Sequence, residues 1–529
     1  MKRMGVMLDC SRNAVMHVAG VKRFVDTIAL MGYNVLMLYT EDTYKVDGEP
    51  LFGYLRGRYS KEEMREIDEY CAEKGIELVP CIQTLAHLNQ IFQWQPYRAI
   101  CDVNEILLVG EERTYELIEN MFKTLRSCVK TDLIHIGMDE AVSLGLGKYK
   151  DKHGYRPRSE ILLEHLGKVC ALAEKYGFTP LMWSDMFFSN AKDGEYGEDL
   201  LTKLPESLQL VNWEYCIQPV EAHEKRFEKH LALGRTVWFA SSAWKCLGFS
   251  AIVSITEDAL RTSLTACKNK GIENTLITLW GDGGNDTPAY AVLANLFFQA
   301  EYLQGNTDEK SIAEKFEKTF GESWEDFHLF HLQFKDITLQ RVPYQDGEKS
   351  ALYNDPFLGK FDSTVVGGGR EAKEWAEKAQ EFYAAAKRSK NYGYVFESYA
   401  RLCEVLEYKH ELGAKTREAY QNDRTKLPTV IAEYDETMRR VERFVEAFRT
   451  MWYTDNKPHG FDVQELRLGG LLLRLKSCRE RLEKLVNGEI EKIDELEEKI
   501  VNYYDGSDKL EKGAVLLNNY QEIATVNKL

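Results

Sequence analysis

The feature that most constrains the fold is an alternation of short apolar runs with amphipathic stretches over about the first 305 residues. The runs are rich in Val, Ile, Leu and aromatic residues and lack polar alternation, which is typical of parallel strands buried on both faces. Helical patterns lie between most of them, and several end in glycine just before the next run. The eight runs are 5–8, 34–39, 77–82, 133–138, 180–183, 209–213, 236–240 and 275–280.

Eight strands joined by helical crossovers predict an α/β chain that begins with a (β/α)8 TIM barrel over residues 1–305. An open doubly wound sheet is the alternative, but it needs no eighth strand, and no G-x-G-x-x-G follows the first run. From residue 306 to 529 helical patterns dominate, and we expect a second, all-α domain there. Its predicted helices are 308–320, 371–388, 392–412, 427–449 and a long charged segment, 463–504, part of which resembles a coiled-coil face.

Composition excludes several classes of protein. A net charge of −16 without a run of Lys or Arg argues against binding to nucleic acid. No apolar stretch approaches the roughly 20 residues that a membrane helix needs. The first residues lack the apolar core of a secretion signal, so we expect a cytoplasmic protein. The eleven scattered cysteines and the histidine spacing match neither a disulfide framework nor a zinc site, and no metal or cofactor is expected.

Barrel active sites lie at the carboxyl ends of the strands, and the residues that follow the predicted strands share a chemistry. Carboxylates suit acid–base catalysis, and flat aromatic rings stack on sugar rings, so the combination favours glycoside hydrolysis. Taken singly, a tryptophan there packs the barrel, an aspartate caps a helix and a histidine is structural. The candidates are Arg12, Asp42, His87, Asp139, Glu140, Trp183, Asp185, Trp213, Tyr215, Trp244, Trp280 and Asp282.

The segment from His135 to Glu140, His-Ile-Gly-Met-Asp-Glu, resembles the H-x-G-x-D-E signature of the glycoside hydrolase family 20 β-N-acetylhexosaminidases. The resemblance extends over the whole barrel, about residues 1–305. It includes Ser11-Arg12 after the first strand, Trp183-Ser184-Asp185-Met186 after the fifth and Trp280-Gly281-Asp282 after the eighth. A barrel at the start followed by a helical half resembles a bacterial subgroup of this family.

The resemblance implies a mechanism. Glu140 would be the general acid that protonates the leaving oxygen and then the base that activates water. Asp139 would orient the 2-acetamido group of the substrate, whose carbonyl oxygen attacks the anomeric carbon, so that no enzyme carboxylate is the nucleophile. The charge of Asp139 should raise the pKa of Glu140. Because neighbouring strand residues point oppositely, the strand must end here for both to face one pocket.

The resemblance also implies roles for the other candidates. Arg12 would hold the 3- and 4-hydroxyls of the terminal sugar and Asp282 the 4- and 6-hydroxyls, while Asp42 and His87 would form a hydrogen-bonded chain to Glu140. Trp183, Trp213 and Trp280 would wall the acetamide pocket, and Asp185 is assigned to the substrate site with them. Tyr215 replaces a tyrosine that the family often places after strand seven. Trp244 and Lys245 line the leaving-group side or pack in the core.

The expected function is that of a retaining, exo-acting β-N-acetylhexosaminidase that releases terminal β-linked GlcNAc, with release of GalNAc left open. Its substrate would be an oligosaccharide or glycoconjugate with a terminal β-HexNAc. Two alternatives stay open: a carbohydrate-binding protein on an inactive barrel, and a two-carboxylate glycosidase with Asp282 or Glu214 as nucleophile. A further reading makes the helical half a regulatory or partner-binding module, although a solvated helix surface is the simpler interpretation of its charged face. We expect a homodimer.

Overall fold

The computed structural model describes residues 2–191, 201, 203–332, 347–507 and 519–527. Eight parallel strands close into a barrel in which each strand pairs with its neighbours along the chain and the last pairs with the first. The predicted TIM barrel is therefore confirmed. The strands are β1 Arg3–Asp9, β2 Val35–Tyr39, β3 Glu77–Cys81, β4 Leu133–His135, β5 Thr179–Trp183, β6 Gln209–Trp213, β7 Val237–Ser242 and β8 Asn274–Leu279.

Alternate residues of all eight strands point into the barrel and form one buried cluster, which includes Met7, Met37, Leu133, Trp238 and Leu276. This alternation follows from the twofold repeat of an extended chain. The outward residues pack against the surrounding helices instead. The inward set matters for the site, because its last members rise to the carboxyl ends of the strands.

Helices surround the barrel. The helix α2, Lys61–Glu73, shows how the sequence marks the beginning of a helix: Ser60 and Glu63 form a reciprocal capping box at its first turn. A short two-stranded ribbon, Cys101–Val103 with Ile106–Leu107, interrupts the connection between β3 and β4. The main helices are α1 Val18–Met31, α2 Lys61–Glu73, α3 Glu112–Arg126, α4 Arg158–Lys175, α5 Val220–Leu231, α6 Val253–Lys270 and α7 Leu293–Leu303.

The rest of the chain is helical in its described parts, as predicted. The helix expected over 463–504 is wrong in length. The observed helix, Phe461–Val486, ends there because Gly488 adopts a left-handed backbone (φ 74°) that stops it. The helix expected over 392–412 instead continues to Asn422. The main helices are α8 Glu309–Phe320, α9 Trp324–His328, α10 Gly347–Tyr353, α11 Arg370–Arg388, α12 Gly393–Asn422, α13 Leu427–Asp455 and α14 Phe461–Val486, and two short helical turns follow at Asp494–Glu497 and Tyr520–Ala524.

The helical region packs directly on the barrel. The ring of Phe249, in the loop after β7, lies edge-on to Phe444 and Phe448 of α13, with ring centroids 5.9 and 5.8 Å apart. Tyr399 of α12 donates a 2.6 Å hydrogen bond to the carbonyl oxygen of Phe249. The apolar core therefore runs from the outer face of the barrel into the helices. Within the described ranges, every helix is too short or too polar to cross a bilayer.

Candidate active site

Asp139 and Glu140 follow β4, and the backbone between them and the strand is unusual. The strand ends at His135, and Gly137, Met138 and Glu140 have left-handed φ angles of 71°, 72° and 53°. These turns break the alternation of the strand, so consecutive carboxylates reach the same opening. The expectation that the strand ends before this pair is confirmed.

Asp139 is buried and fully partnered. One of its oxygens accepts a 2.7 Å hydrogen bond from the amide of Gln83, and the other lies 3.3 Å from Nε2 of His87. Burial opposes ionisation of this carboxyl, but His87 and Gln83 outweigh it and lower the pKa of Asp139 below its ordinary value. Asp139 is therefore held as an anion with a fixed orientation.

Glu140 has the opposite character. Its side chain is about half exposed at the mouth of the barrel, 3.6 Å from Nε2 of His87. Partial burial and the charge of Asp139 raise the pKa of Glu140 above its ordinary value. Two adjacent carboxyls thus have pKa values moved in opposite directions, which is the arrangement that divides acid and base roles between a pair.

His87 links the two carboxyls to a third. Its Nδ1 lies 3.8 Å from Glu105, which comes from the turn of the short ribbon after β3. Burial disfavours a charged imidazole, but Asp139 and Glu105 stabilise that charge and raise the pKa of His87 to about 10. His87 is therefore a cation near neutral pH and lies within reach of both candidate catalytic carboxyls.

Arg12 and Asp282 meet across the opening. The Nε of Arg12 lies 3.2 Å from Asp282, and its terminal nitrogen donates to Glu41. Glu41 also accepts a 3.1 Å hydrogen bond from the hydroxyl of Tyr39. Burial raises the pKa of Glu41 to about 7 against the opposing charge of Arg12. Arg12 and Asp282 are therefore accessible to a polar ligand, while the buried Glu41 holds Arg12 in place.

Asp42 has a different partner from the one expected. Its carboxylate accepts a 2.9 Å hydrogen bond from Arg56, which holds it on the outer side of the β2 end. The proposed chain from Asp42 through His87 to Glu140 does not match this geometry, because Glu105 occupies the place beside His87. The strand ends at Tyr39, and Glu41 then adopts a left-handed backbone (φ 44°) in a turn that directs Asp42 away from Glu41 and toward Arg56.

Aromatic rings form the floor and one wall of the opening. Trp183 is buried in the barrel, and its ring lies 6.1 Å from that of Trp280, which also meets Tyr39 edge-on at 4.8 Å. Tyr215 stacks on Trp213 with centroids 5.0 Å apart, and its hydroxyl accepts a 2.9 Å hydrogen bond from the indole of Trp280. The three tryptophans predicted as pocket walls are thus brought together with Tyr215; they are Trp183, Trp213 and Trp280.

Trp244 and Asp185 lie behind this surface. The indole N–H of Trp244 donates a 2.9 Å bond to the carbonyl of Tyr215, so this ring supports the loop after β6. Asp185 is buried, and its carboxylate accepts a 3.0 Å hydrogen bond from the backbone N–H of Glu140. Burial and the charge of Asp139 raise the pKa of Asp185 to about 6. Asp185 therefore contacts the candidate acid through its backbone.

Sequence reasoning missed several polar residues of the site. Counting in twos from the inward strand residues finds two of them: Gln83 from Cys81, and Asp9 from Met7. Lys245, predicted together with Trp244 to line the leaving-group side or to pack in the core, is buried. Burial lowers the pKa of Lys245 to about 8. Among the described residues, no group of three or more His, Cys, Asp or Glu side chains is arranged to hold a metal ion.

A closed parallel barrel whose strand ends gather paired carboxyls and aromatic rings is typical of sugar-processing barrels. The family model for the glycosyl hydrolase family 20 catalytic domain matches residues 3–225. The model for the Glycoside Hydrolase 20C C-terminal domain matches residues 333–515. The chain belongs to glycoside hydrolase family 20.

Its relatives carry consistent names. The chain is 24% identical over 249 residues to hexosaminidase D of Bos taurus, covering 44% of this chain and 70% of the relative. It is also 24% identical to hexosaminidase D of Homo sapiens, covering 44% of this chain and 49% of the relative. A probable beta-hexosaminidase of Arthroderma benhamiae is 24% identical over 40% of this chain, and the chain spans 38% of its length.

Among solved structures, the chain is similar to the GH20 exo beta-N-acetylglucosaminidase from Vibrio harveyi in complex with N-acetylglucosamine. The match has a TM-score of 0.48 and 15% identity and covers 62% of this chain and 58% of that one.

Proposed function

We propose that this chain is an exo-acting, retaining β-N-acetylhexosaminidase that uses the 2-acetamido group of its substrate as the nucleophile. The observation that carries the proposal is the placement of two consecutive carboxyls at one barrel mouth, with Asp139 buried against Gln83 and His87 and Glu140 half exposed beside His87. Membership of family 20 and the names of the relatives support the same activity.

In the first step Glu140 gives its proton to the glycosidic oxygen while the acetamide oxygen attacks the anomeric carbon. The bond to the leaving group breaks, and a cyclic oxazolinium-type intermediate forms. Burial and the charge of Asp139 raise the pKa of Glu140, which favours the protonated form that this step needs. In the second step Glu140 takes a proton from water, whose oxygen adds to the anomeric carbon and reopens the ring.

Asp139 orients the acetamide group and stabilises the cyclic intermediate. Its carboxylate accepts a hydrogen bond from the acetamide N–H and stabilises the positive charge that grows on the ring. Gln83 and His87 fix one orientation of this carboxylate before substrate arrives. Little reorganisation is then needed at the moment of reaction, which is the source of most electrostatic catalysis.

The terminal sugar is held by Arg12 and Asp282 at its hydroxyls and by the rings of Trp213 and Trp280 at its apolar surfaces. Tyr215 faces the acetamide group. Trp183 and Trp244 act from behind, as support for these rings. The substrate is therefore a glycan with a terminal β-HexNAc, with GlcNAc as the expected sugar. We further propose residues 1–305 as the catalytic domain and 306–529 as a helical domain; a homodimer and a cytoplasmic location stay predictions.

The alternative with an enzyme nucleophile is less well supported. The carboxylate of Glu214 accepts hydrogen bonds from the backbone N–H groups of Tyr215 and Cys216 and from the guanidinium of Arg226. These bonds hold the Glu214 side chain against the loop after β6. Asp282 is paired with Arg12. A binding protein on an inactive barrel has no need for a half-exposed carboxyl such as Glu140, whose pKa is raised by burial and by the charge of Asp139.

The test is inhibition by the thiazoline analogue of the cyclic intermediate during hydrolysis of the nitrophenyl β-GlcNAc glycoside. A site built for substrate assistance should bind this analogue at least about a hundredfold more tightly than GlcNAc. Hydrolysis without preferential binding of the analogue would show that an enzyme group is the nucleophile. Failure to hydrolyse any β-HexNAc glycoside would overturn the proposed activity.

A further inference from the structure

The loop after β8 carries both Trp280 and Asp282 and then turns sharply. Gly283, Gly284 and Asn285 follow one another with left-handed φ angles of 74°, 116° and 59°. Such a turn directs successive peptide carbonyls outward, where each needs a donor. The position of Asp282 therefore depends on what binds the outer side of this turn.

The barrel holds the inner side of the loop. Asp9 accepts a 2.9 Å hydrogen bond from the backbone N–H of Gly281, and the ammonium of Lys245 donates to the side chain of Asn285 at 2.5 Å. Lys245 also approaches the carbonyl oxygen of Trp280 at 3.4 Å. These contacts leave the carbonyls of Gly283 and Gly284 to partners outside the barrel.

Helix α14 supplies most of those partners, and Nζ of Lys349 in α10 also lies 3.5 Å from the carbonyl oxygen of Gly283. The amide of Gln464 donates to the carbonyl of Gly284 at 3.0 Å and to Asp286 at 2.8 Å. Arg467, one turn further along, donates to the carbonyl of Gly283 at 2.6 Å. The guanidinium packs so closely that a Cβ on Gly284 would lie 2.6 Å from it.

A buried ion pair adds a second link between the same two regions. Lys349 of α10 lies 2.6 Å from Asp286, and both side chains are almost completely buried. Removing one partner of a buried pair leaves an uncompensated charge, so the pair strongly disfavours separation of the loop from the helices. The loop is thus clamped between barrel and helical region.

We propose that Gln464 and Arg467 are positioning residues for sugar recognition, acting through the turn at 283–285 to hold Asp282 against Arg12. The inference rests on the proposed function, since it gives the helical region a part in binding the terminal sugar. It predicts that loosening α14 from the turn weakens discrimination at the sugar hydroxyls that Asp282 contacts, with little change in the chemistry at Asp139 and Glu140.

The test compares Arg467→Met and Gln464→Met with a matched control, Arg474→Met. Arg474 lies on the same helix and binds Asp355 at 2.6 and 3.0 Å within the helical region. One readout is amide hydrogen exchange over residues 281–287. The other is the ratio of kcat/KM for the nitrophenyl β-GlcNAc glycoside to that for its 6-deoxy analogue.

Both loop variants should exchange at least about tenfold faster over 281–287, as expected for loss of a hydrogen bond to a carbonyl in a strained turn. They should also lower the 6-hydroxyl preference several-fold, mainly through KM, while Arg474→Met changes neither readout. In an Asp282→Asn background, Arg467→Met should lower the preference no further, because the two residues act through one contact.

Unchanged exchange in both loop variants, or equal acceleration in Arg474→Met, would overturn the proposal. Faster exchange with an unchanged preference for the 6-hydroxyl would also overturn it. The contacts of Gln464 and Arg467 with the turn would then stabilise the fold without affecting sugar recognition. Wild-type protein that hydrolyses neither glycoside would contradict the proposed function, and the exchange measurement would still decide whether α14 holds the turn.

Discussion

The backbone N–H of Glu140 donates a 3.0 Å hydrogen bond to the buried carboxylate of Asp185. The same oxygen of Asp185 accepts a 2.8 Å bond from the side chain of Asn190. Glu140 has a left-handed backbone, which costs a residue with a side chain roughly 1 kcal/mol. The contact offsets that cost and fixes the direction in which the candidate acid points. The end of β5 therefore orients the acid that follows β4.

Replacing Asp185 with leucine should lower kcat, because the left-handed conformation of Glu140 loses its acceptor. We expect a loss on the order of tenfold to a hundredfold, in line with misplacement of a catalytic group. Asp185→Asn keeps an oxygen acceptor and should retain most of the activity. Equal losses in the two variants, measured with the nitrophenyl β-GlcNAc glycoside, would argue against a role in orientation.

Glu140→Gln should show a loss that depends on the leaving group. The variant cannot donate a proton, so kcat/KM for a β-GlcNAc disaccharide should fall on the order of a hundredfold or more. A dinitrophenyl glycoside needs little protonation and should be affected much less. A similar loss with both substrates would remove Glu140 from the role of general acid.

Asp139→Asn should lower turnover on the order of a hundredfold or more with good and poor leaving groups alike. The physical reason is that the negative charge of Asp139 stabilises the cyclic intermediate whichever group leaves. The variant protein should still fold, because the side chains of asparagine and aspartate have nearly equal volumes. Near-normal turnover of the dinitrophenyl glycoside would contradict this assignment.

His87→Gln should move the pH profile of kcat/KM to higher pH at both limbs. His87 lowers the pKa of Asp139, so its loss raises that pKa and shifts the acidic limb, where Asp139 must be ionised, upward. His87 also lowers the pKa of Glu140, so the alkaline limb, where Glu140 loses its proton, moves upward too. His153→Gln, at an exposed histidine, is the control. A profile that stays in place or moves to lower pH would refute the proposed coupling.

Much of the site follows from one rule of extended chains. The inward residues of the strands are fixed by alternation, and continuing that count in twos past the strand ends reaches Asp185 from Trp183 and Asp282 from Leu276. The eight runs themselves were visible because barrel strands are buried on both faces. The motif from His135 to Glu140 then identifies the fourth strand as the one that carries the candidate catalytic carboxyls.

The parts that sequence could not supply depend on departures from that rule or on distant contacts. Glu140 lies out of phase with Asp139 and reaches the pocket only through the left-handed residues before it. Glu41 and Asp42 lie in the turn after β2, and the left-handed backbone at Glu41, which decides where each carboxylate points, leaves no pattern in the sequence. The hydrogen bonds from Gln464 and Arg467 to the turn after β8 join segments about 180 residues apart, and a single sequence carries no pattern for such a contact.

The most direct test of the central claim is the ratio of kcat/KM for the nitrophenyl β-GlcNAc glycoside to that for the matching β-glucoside, measured with the wild-type protein. The two substrates differ only at position 2, where the acetamide group is the proposed nucleophile. We predict cleavage of the first with no detectable cleavage of the second. Comparable cleavage of both would mean that the protein supplies the nucleophile and that Asp139 does not act through the acetamide.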